Sequence, residues 1–422
     1  MEMKRYKLGE ICELNNATLK SSDNVDEILY LDTSNITENC IDELQSFFIK
    51  NSPSRAQRKV KDKTIIFSTV RPNQKHFGIL NNPPKNLIVS TGFTTLDVKK
   101  TNDFDANYVY LKLTQPYIVN HLQTLAQNSV SSYPSINPDD IGNLRFDFPP
   151  LPTQQKIAAV LTSLDDKIAL NKKINAKLEA MAKRLYDYWF VQFDYPDKNG
   201  KPYKTSGGKM VWNEVLKREI PEGWEVVEMS SVIKQINTGL NPRDNFILGN
   251  GKIKYVTVKN LTEEGHIDFS NCDLVNSEAQ KIIHERSQIQ TGDILFASIC
   301  PLGRCYLIQD SPEEWDINES VFSIRPNIDR ITSEFLYTLL RESYYVKKMT
   351  QKATGSIFKG IRINDIEKIE ILLPPKDIIN AFSKKTLPIF NYQLTIQKEI
   401  QKLTELRDRL LPLLMNGQVE VE

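Results

Sequence analysis

The chain has 422 residues, of which 40% are hydrophobic and 25% charged, and a formal net charge of +1. This predicts two or three soluble domains with ordinary cores. It argues against a membrane-spanning helix, because no apolar run approaches the roughly 18 residues that such a helix needs.

The start, Met1-Glu2-Met3-Lys4-Arg5, lacks the apolar region of a signal peptide, so a cytoplasmic protein is expected. Cys12, Cys40, Cys272, Cys300 and Cys305 form no CxxC pair, and an odd count fits reduced thiols. His76, His121, His266 and His284 are scattered, so no metal site is expected. Near-neutrality argues against a uniformly basic DNA-binding surface, but the charge is uneven. Residues 50–75 hold Lys50, Arg55, Arg58, Lys59, Lys61, Lys63, Arg71 and Lys75 against Asp62 alone. Residues 345–362 hold Lys347, Lys348, Lys352, Lys359 and Arg362 with no acid.

Taken in chain order, the elements occur twice. Ile28-Leu29-Tyr30-Leu31 returns as Ile253-Lys254-Tyr255-Val256, and Ser34-Asn35-Ile36-Thr37 as Lys259-Asn260-Leu261-Thr262. Residues 62–69 return as 291–298, Pro72 falls opposite Pro301, and Tyr108-Val109-Tyr110-Leu111 opposite Phe335-Leu336-Tyr337-Thr338. Asp140-Ile141 returns as Asp365-Ile366, and both copies end on a double proline, Pro149-Pro150 and Pro374-Pro375. Six matches in one order, closed by the same double proline, indicate duplication. Each copy predicts strands first (63–68, 293–298), then one amphipathic helix (106–122, 333–349). A Gly/Ser/Asn-rich loop (127–137, 354–359) and a last strand (144–148, 369–373) follow. Mixed strands with segregated helices predict an α+β fold.

After each double proline the period changes to that of a helix. Phe382, Ile389, Ile396, Leu403 and Leu410 lie seven apart, with Ile400 and Leu414 in a second row, and Pro388 is expected to kink this helix. In the first copy Ile157, Leu161, Leu164 and Ile168 start a seam that resumes at Ile174, Leu178, Met181, Leu185 and Tyr188. The resumption comes one residue early, so the seam is expected to shift there. A helix over 153–190 would be roughly 55–60 Å long at 1.5 Å per residue. The two stripes are expected to pair with each other. Residues 194–222 turn polar and Gly/Lys-rich and read as a linker or exposed hairpin. The resulting division is a first domain at 1–148, a helix at 149–193, linker and second domain at 194–373, and a second helix at 374–422.

The run Leu151-Pro152-Thr153-Gln154-Gln155-Lys156-Ile157-Ala158-Ala159-Val160-Leu161 resembles the first conserved helix of specificity subunits in type I restriction-modification systems. Leu164-Asp165-Asp166-Lys167-Ile168, Asn171, Leu178-Glu179-Ala180-Met181-Ala182, Trp189-Phe190-Val191-Gln192-Phe193-Asp194-Tyr195-Pro196 and Ile220-Pro221-Glu222-Gly223-Trp224 continue the resemblance. Leu406-Arg407-Asp408-Arg409-Leu410-Leu411-Pro412-Leu413-Leu414-Met415-Asn416-Gly417 resembles that family's closing motif. The resemblance implies two target recognition domains related by a pseudo-twofold and separated by two long antiparallel coiled-coil-like helices. Each domain would read one half of a split site on double-stranded DNA. Two methyltransferase subunits and the motor-nuclease restriction subunits would be its partners. S-adenosylmethionine would be bound by the methyltransferase partner, leaving no cofactor on this chain.

The residues agree with a non-catalytic chain. An adenine methyltransferase needs Asn/Asp-Pro-Pro-aromatic to stack a flipped base, and Asn82-Pro83-Pro84 is followed by Lys85. There is no Gly-rich cofactor turn or P-loop. Asp62-Lys63 reads as a solvated loop, and Asp165-Asp166-Lys167 as an exposed helix face.

Base edges are read by Arg, Lys, Asn, Gln and Ser donors, and phosphates by cations and backbone amides. The first-domain candidates are the basic Arg55, Arg58 and Lys59, and the strand-exit loop Arg71-Pro72-Asn73-Gln74-Lys75. Asn128-Ser129-Val130-Ser131-Ser132-Tyr133 is a second loop there. In the second domain Arg304, beyond Cys300-Pro301-Leu302-Gly303, and Gly355-Ser356-Ile357-Phe358-Lys359 are the expected equivalents, with Arg243 on a third loop. Two other readings remain open: a free-standing duplicated DNA-binding protein, and a coiled-coil scaffold that does not touch DNA.

Overall fold

The computed structural model describes residues 3–20, 23, 25–99, 101–129, 133–355 and 359–421. The chain forms two compact units, residues 1–170 with 401–422, and residues 171–400.

In the first unit the strand Ile65–Ser68 is the pivot. All four residues are buried, so its two faces must each meet a core. Ile65 and Phe67 face the helices Ala106–Leu113 and Pro116–Gln127, packing with Tyr108, Val109, Ile118 and Leu122. Ile66 faces the opposite way, onto Leu31, Leu87, Val89 and Phe93. The strand sits in an antiparallel sheet of order Cys12–Leu14, Phe93–Val98, Ile65–Ser68, Phe77–Ile79. A second sheet runs Gln45–Phe48, Glu27–Leu31, Leu87–Ser90, Ala56–Lys59, and its central pair is parallel. The result is three layers: helices, central sheet, second sheet.

The second unit repeats this plan. Ile294 and Phe296 of the strand Ile294–Ala297 pack with Phe335, Leu336, Leu339 and Leu340. Leu295 and Ala297 pack with Val256, Ile317 and Val321. The sheet order Ile233–Thr238, Val321–Pro326, Ile294–Ala297, Cys305–Leu307 matches the first domain's strand for strand. The second sheet, Asp273–Val275, Ile253–Val256, Trp315–Ile317, again holds one parallel pair, Ile253–Val256 with Trp315–Ile317. The copies differ most at one edge of the second sheet. Where the first has the edge strand Ala56–Lys59, the second has the helix Ser277–Ser287, started by the Asn276 side chain accepting from the Ala279 amide. A terminal strand pair closes each copy, Lys4–Lys7 with Arg145–Phe148 and Glu225–Glu228 with Glu370–Leu373.

Three sequence expectations need correction. The single helix expected over 106–122 is two helices, because Pro116 has no amide to continue the first and instead opens the second. The helix expected over 333–349 also divides, into Ser333–Arg341 and Ser343–Lys352. Here Glu342 is extended, and its carboxylate accepts from the Tyr344 and Tyr345 amides at 3.0 and 3.3 Å. Residues 194–222, by contrast, hold the hairpin that was one of the two expected readings: Met210–Asn213 pairs with Arg218–Pro221, and Tyr195 stacks on Tyr203 at 4.7 Å.

The third correction concerns the helices Leu151–Tyr186 and Lys376–Met415, the latter uninterrupted at Pro388. In the first helix the seam does not shift. Met181 is 55% and Tyr188 39% exposed, whereas Asn171, Asn175 and Ala182 are buried. The seam therefore runs through Gln154, Ile157, Leu161, Leu164, Ile168, Asn171, Asn175, Leu178, Ala182, Leu185 and Trp189 in strict 3-4 alternation. The second helix alternates likewise through Ile379, Phe382, Thr386, Ile389, Gln393, Ile396, Ile400, Leu403, Arg407, Leu410 and Leu414. Within each unit the helix segments run antiparallel. In the first, Ile157 and Leu161 share a core with Leu414, and Asp165 pairs with Arg407 at 3.2 Å. Asp165 is thus an inter-helix partner rather than part of an exposed face, and burial pushes its carboxyl above the ordinary range despite Arg407. In the second unit Trp189 meets Phe382, and Gln393 Nε2 donates to the Asn175 carbonyl.

Among the described residues no helix is long and apolar enough to cross a membrane, and no His/Cys/Asp/Glu cluster could hold a metal ion. The five cysteines are unpaired, and burial pushes the Cys12 and Cys305 thiols up to about 12.

Asn175 Nδ2 and Oδ1 and Asn171 Nδ2 are buried without a hydrogen-bond partner among the described residues. An unpaired buried amide costs about 1–3 kcal/mol. Asn175→Leu, similar in volume, is therefore expected to raise the thermal unfolding midpoint. A lowered midpoint would contradict the unpaired, buried placement of this side chain.

Candidate nucleic-acid interface

At one end of each central sheet the backbone ties three loops together, with the same register in both domains. Thr69 donates from its amide and its hydroxyl to the Gly92 carbonyl at 2.9 and 3.0 Å. Ser298 donates from the same two groups to the Ser320 carbonyl at 3.1 and 2.7 Å. The Ile136 amide donates to Thr69 and the Arg71 amide to Pro134, at 2.9 and 3.0 Å. Their counterparts are Ile361 to Ser298 and Cys300 to Lys359, both 2.8 Å. Bridges Val70↔Ser135 and Ile299↔Gly360 complete the match. Even the turn between strands repeats: Gly92 donates to Ser90 Oγ, and Ser320 to Asn318 Oδ1.

This clamp brings the two predicted first-domain loops together. Arg71 has a left-handed backbone (φ 48°, ψ 67°), and its guanidinium lies 5.6 Å from the centre of the Tyr133 ring. Pro72 is buried, and the Asn73 amide donates to Gln123 Oε1 at 3.1 Å, which fixes the loop from below. Asn73, Gln74 and Lys75 are exposed, although Lys75 pairs with Glu38 at 2.6 Å. Arg55 is exposed beside the same end, where its carbonyl accepts from the Thr91 amide. Lys59 bonds to Asp23 at 3.0 Å. Arg58 is half-buried, its Nε has no partner among the described residues, and desolvation lowers its pKa.

In the second domain Gly355 and Lys359 are exposed on a loop closed by reciprocal Thr354–Gly360 backbone bonds of 2.9 Å. Arg243 is exposed on a turn after Gly239. Gly239 sits against the Ile317 carbonyl, where a Cβ would collide, and its amide donates to Asn318, so this loop joins the same end. Arg304 stands apart. Its Nη1 donates to the Val258 and Leu261 carbonyls at 2.8 and 3.4 Å, and its Nε faces the Pro301 carbonyl. The register also makes Cys300, not Arg304, the counterpart of Arg71. Ser131, Ser132, Ser356 and Phe358 lie outside the described residues.

Sequence reasoning missed the clamp itself. Its one legible trace was a hydroxyl at the same repeat position, Thr69 and Ser298. Two of the motifs weighed for catalysis, Asp62-Lys63 and Asn82-Pro83-Pro84, are surface turns: the Asn82 amide donates to Asp62 Oδ1 at 2.7 Å, which ties the two segments together.

A duplicated α+β protein with matched, polar, loop-bearing sheet ends belongs to the class that presents variable side chains from a constant frame. Residues 1–180 and 221–406 match the family described as the type I restriction modification DNA specificity domain, and the chain belongs to that family. It is 26% identical to the type I restriction enzyme HindI specificity subunit of Haemophilus influenzae, covering 99% of this chain and 100% of that protein. It is 28% identical to the MjaIX specificity subunit of Methanocaldococcus jannaschii, covering 87% and 83%. The fold is shared with the type I restriction-modification S subunit from M. genitalium, with TM-score 0.58, 15% identity, and 98% and 96% coverage.

Arg304→Ala removes the donor from two carbonyls and is expected to lower the unfolding midpoint of the second domain by the equivalent of about 1–3 kcal/mol. DNA preference of the folded variant should stay unchanged. A normal midpoint with altered preference would show that Arg304 contacts DNA instead.

Proposed function

We propose that this chain is the DNA-sequence-specificity subunit of a type I restriction-modification complex. Each domain reads one half of a bipartite site on double-stranded DNA. The two long helices set the spacer and dock two methyltransferase subunits, and restriction subunits complete the complex. The observation that carries this reading is the loop clamp built twice in one register, because two equal frames with different side chains suit two different half-sites. Family membership supports it.

Division of labour follows. Exposed loop residues (Asn73, Gln74, Arg71 and Tyr133 in the first domain, Arg243, Lys359 and the Gly355 backbone in the second) meet bases or phosphates. Ser131, Ser132, Ser356 and Phe358 belong to the same two loops by sequence. The chain is non-catalytic and binds no cofactor; S-adenosylmethionine belongs to the methyltransferase partner. Its place of action on this reading is the cytoplasm.

Two measurements test the proposal. The purified chain is expected to transfer no labelled methyl group from S-adenosylmethionine to DNA, and to support transfer once its methyltransferase partner is added. Transfer by the chain alone would overturn the non-catalytic assignment. Gln74→Ala should change base preference in the first half-site only, by roughly 1–3 kcal/mol. Lys359→Ala should weaken all sequences alike and reduce the salt slope by about 1. Disturbance of both half-sites by Gln74→Ala would contradict one domain per half-site.

A further inference from the structure

We infer that Arg71 reads a guanine in the half-site of the first domain, that Tyr133 holds its guanidinium for that contact, and that the second domain lacks the contact because Cys300 stands in the same register. This rests on the reading of the chain as a DNA-specificity subunit.

Three observations converge. The first is that the position is pre-organised. A left-handed arginine backbone costs about 1 kcal/mol or more and persists only where its surroundings impose it. Here the amide bond to Pro134 on one side and buried Pro72 on the other impose it.

The second is that the side chain is oriented. The Tyr133 ring, 62% exposed, lies 5.6 Å from the guanidinium carbon. An aromatic face holds a guanidinium by its plane and leaves the N–H edge available for hydrogen bonding. That edge carries paired donors matching O6 and N7 of guanine, the commonest specific contact in the major groove. The same fork fits a phosphate, but that contact carries no base preference, so the methylated motif tells the two apart.

The third is contrast with the cations that are already engaged within the protein. Lys75, Lys59 and Lys61 are paired with Glu38, Asp23 and Asp97, Arg325 with Asp293, and Arg304 with backbone carbonyls. Among the described residues no carboxylate is paired with Arg71. The clamp register then places the neutral Cys300 where the first domain has Arg71, so the two frames differ at this position by one guanine-reading side chain.

The test expresses the full chain with its methyltransferase partner in a host that lacks adenine methylation and maps the methylated motif across the host genome. The wild type is expected to give a bipartite motif with a G·C pair in one half. Arg71→Gly accepts the left-handed backbone without strain. It should make that pair degenerate, with discrimination falling roughly ten- to a hundredfold, while the other positions and the other half stay intact. Tyr133→Ala should weaken discrimination at the same pair, Tyr133→Phe should restore it, and Cys300→Ala should change nothing.

An unchanged motif in Arg71→Gly, loss at an A·T pair, or a uniform fall in methylation with the motif preserved would overturn the inference; the last outcome would identify a phosphate contact. If Arg71→Gly abolishes methylation altogether, Arg71→Lys decides, because it keeps the charge without the planar fork. Weakened preference at the one pair supports the inference, and an unchanged motif overturns it. A wild-type complex that methylates no bipartite motif would instead overturn the functional reading on which the inference rests.

Discussion

The two backbone bonds that flank Thr69 in one domain and Ser298 in the other govern the rest of the candidate interface. A strand-exit loop has no fixed shape of its own. Bonding residue 71 to 134 and 136 to 69, and 300 to 359 and 361 to 298, converts two loops into the continuation of a sheet. Side chains beside these bonds, such as Arg71 and Tyr133, then start from a backbone tied to the central strand. That strand is itself held from both faces, by helices through Ile65 and Phe67 and by the second sheet through Ile66. The chain of support runs from buried apolar area, to strand position, to loop geometry, to the orientation of a few polar groups.

A frame fixed by backbone bonds leaves its side chains free to vary. Arg71 and Cys300 occupy one register position with opposite chemistry, and the edge strand Ala56–Lys59 is replaced by the helix Ser277–Ser287 with no change in strand order of the central sheet. This is the physical content of a domain that is duplicated yet divergent: conserved main-chain geometry, and divergent loop tips and sheet edges.

Much of this was legible in the sequence, and the failures have definite causes. The duplication, the paired strands and both long helices follow from apolar period and repeated order. The first helix seam was misread because the reading followed apolar residues from Ile174 to Met181, while Asn171 and Asn175 carry the seam as buried amides. The recognition helices were read as single because Pro116 and the Glu342 cap act locally against a continuing amphipathic pattern. Both loops of the candidate interface were identified by composition, but their bridging was not, since hydrogen bonds between main-chain groups leave no mark on residue type. Arg304 was matched to Arg71 as a cation near an equivalent proline, although Pro72 opposite Pro301 puts Cys300 at that position, and the side-chain bonds of Arg304 show that it serves the carbonyls of residues 258 and 261.

The central claim is that both clamps face DNA, each at its own half-site. Site-specific photo-crosslinking tests it most directly. A benzophenone amino acid replaces Gln74 in one sample and Lys359 in another, and each assembled methyltransferase complex is irradiated on a duplex carrying the methylated motif. The account predicts efficient crosslinks from both positions, mapping to opposite halves of the motif. Crosslinks from both positions to the same half, or none above the level of a surface position such as Lys198, would contradict it.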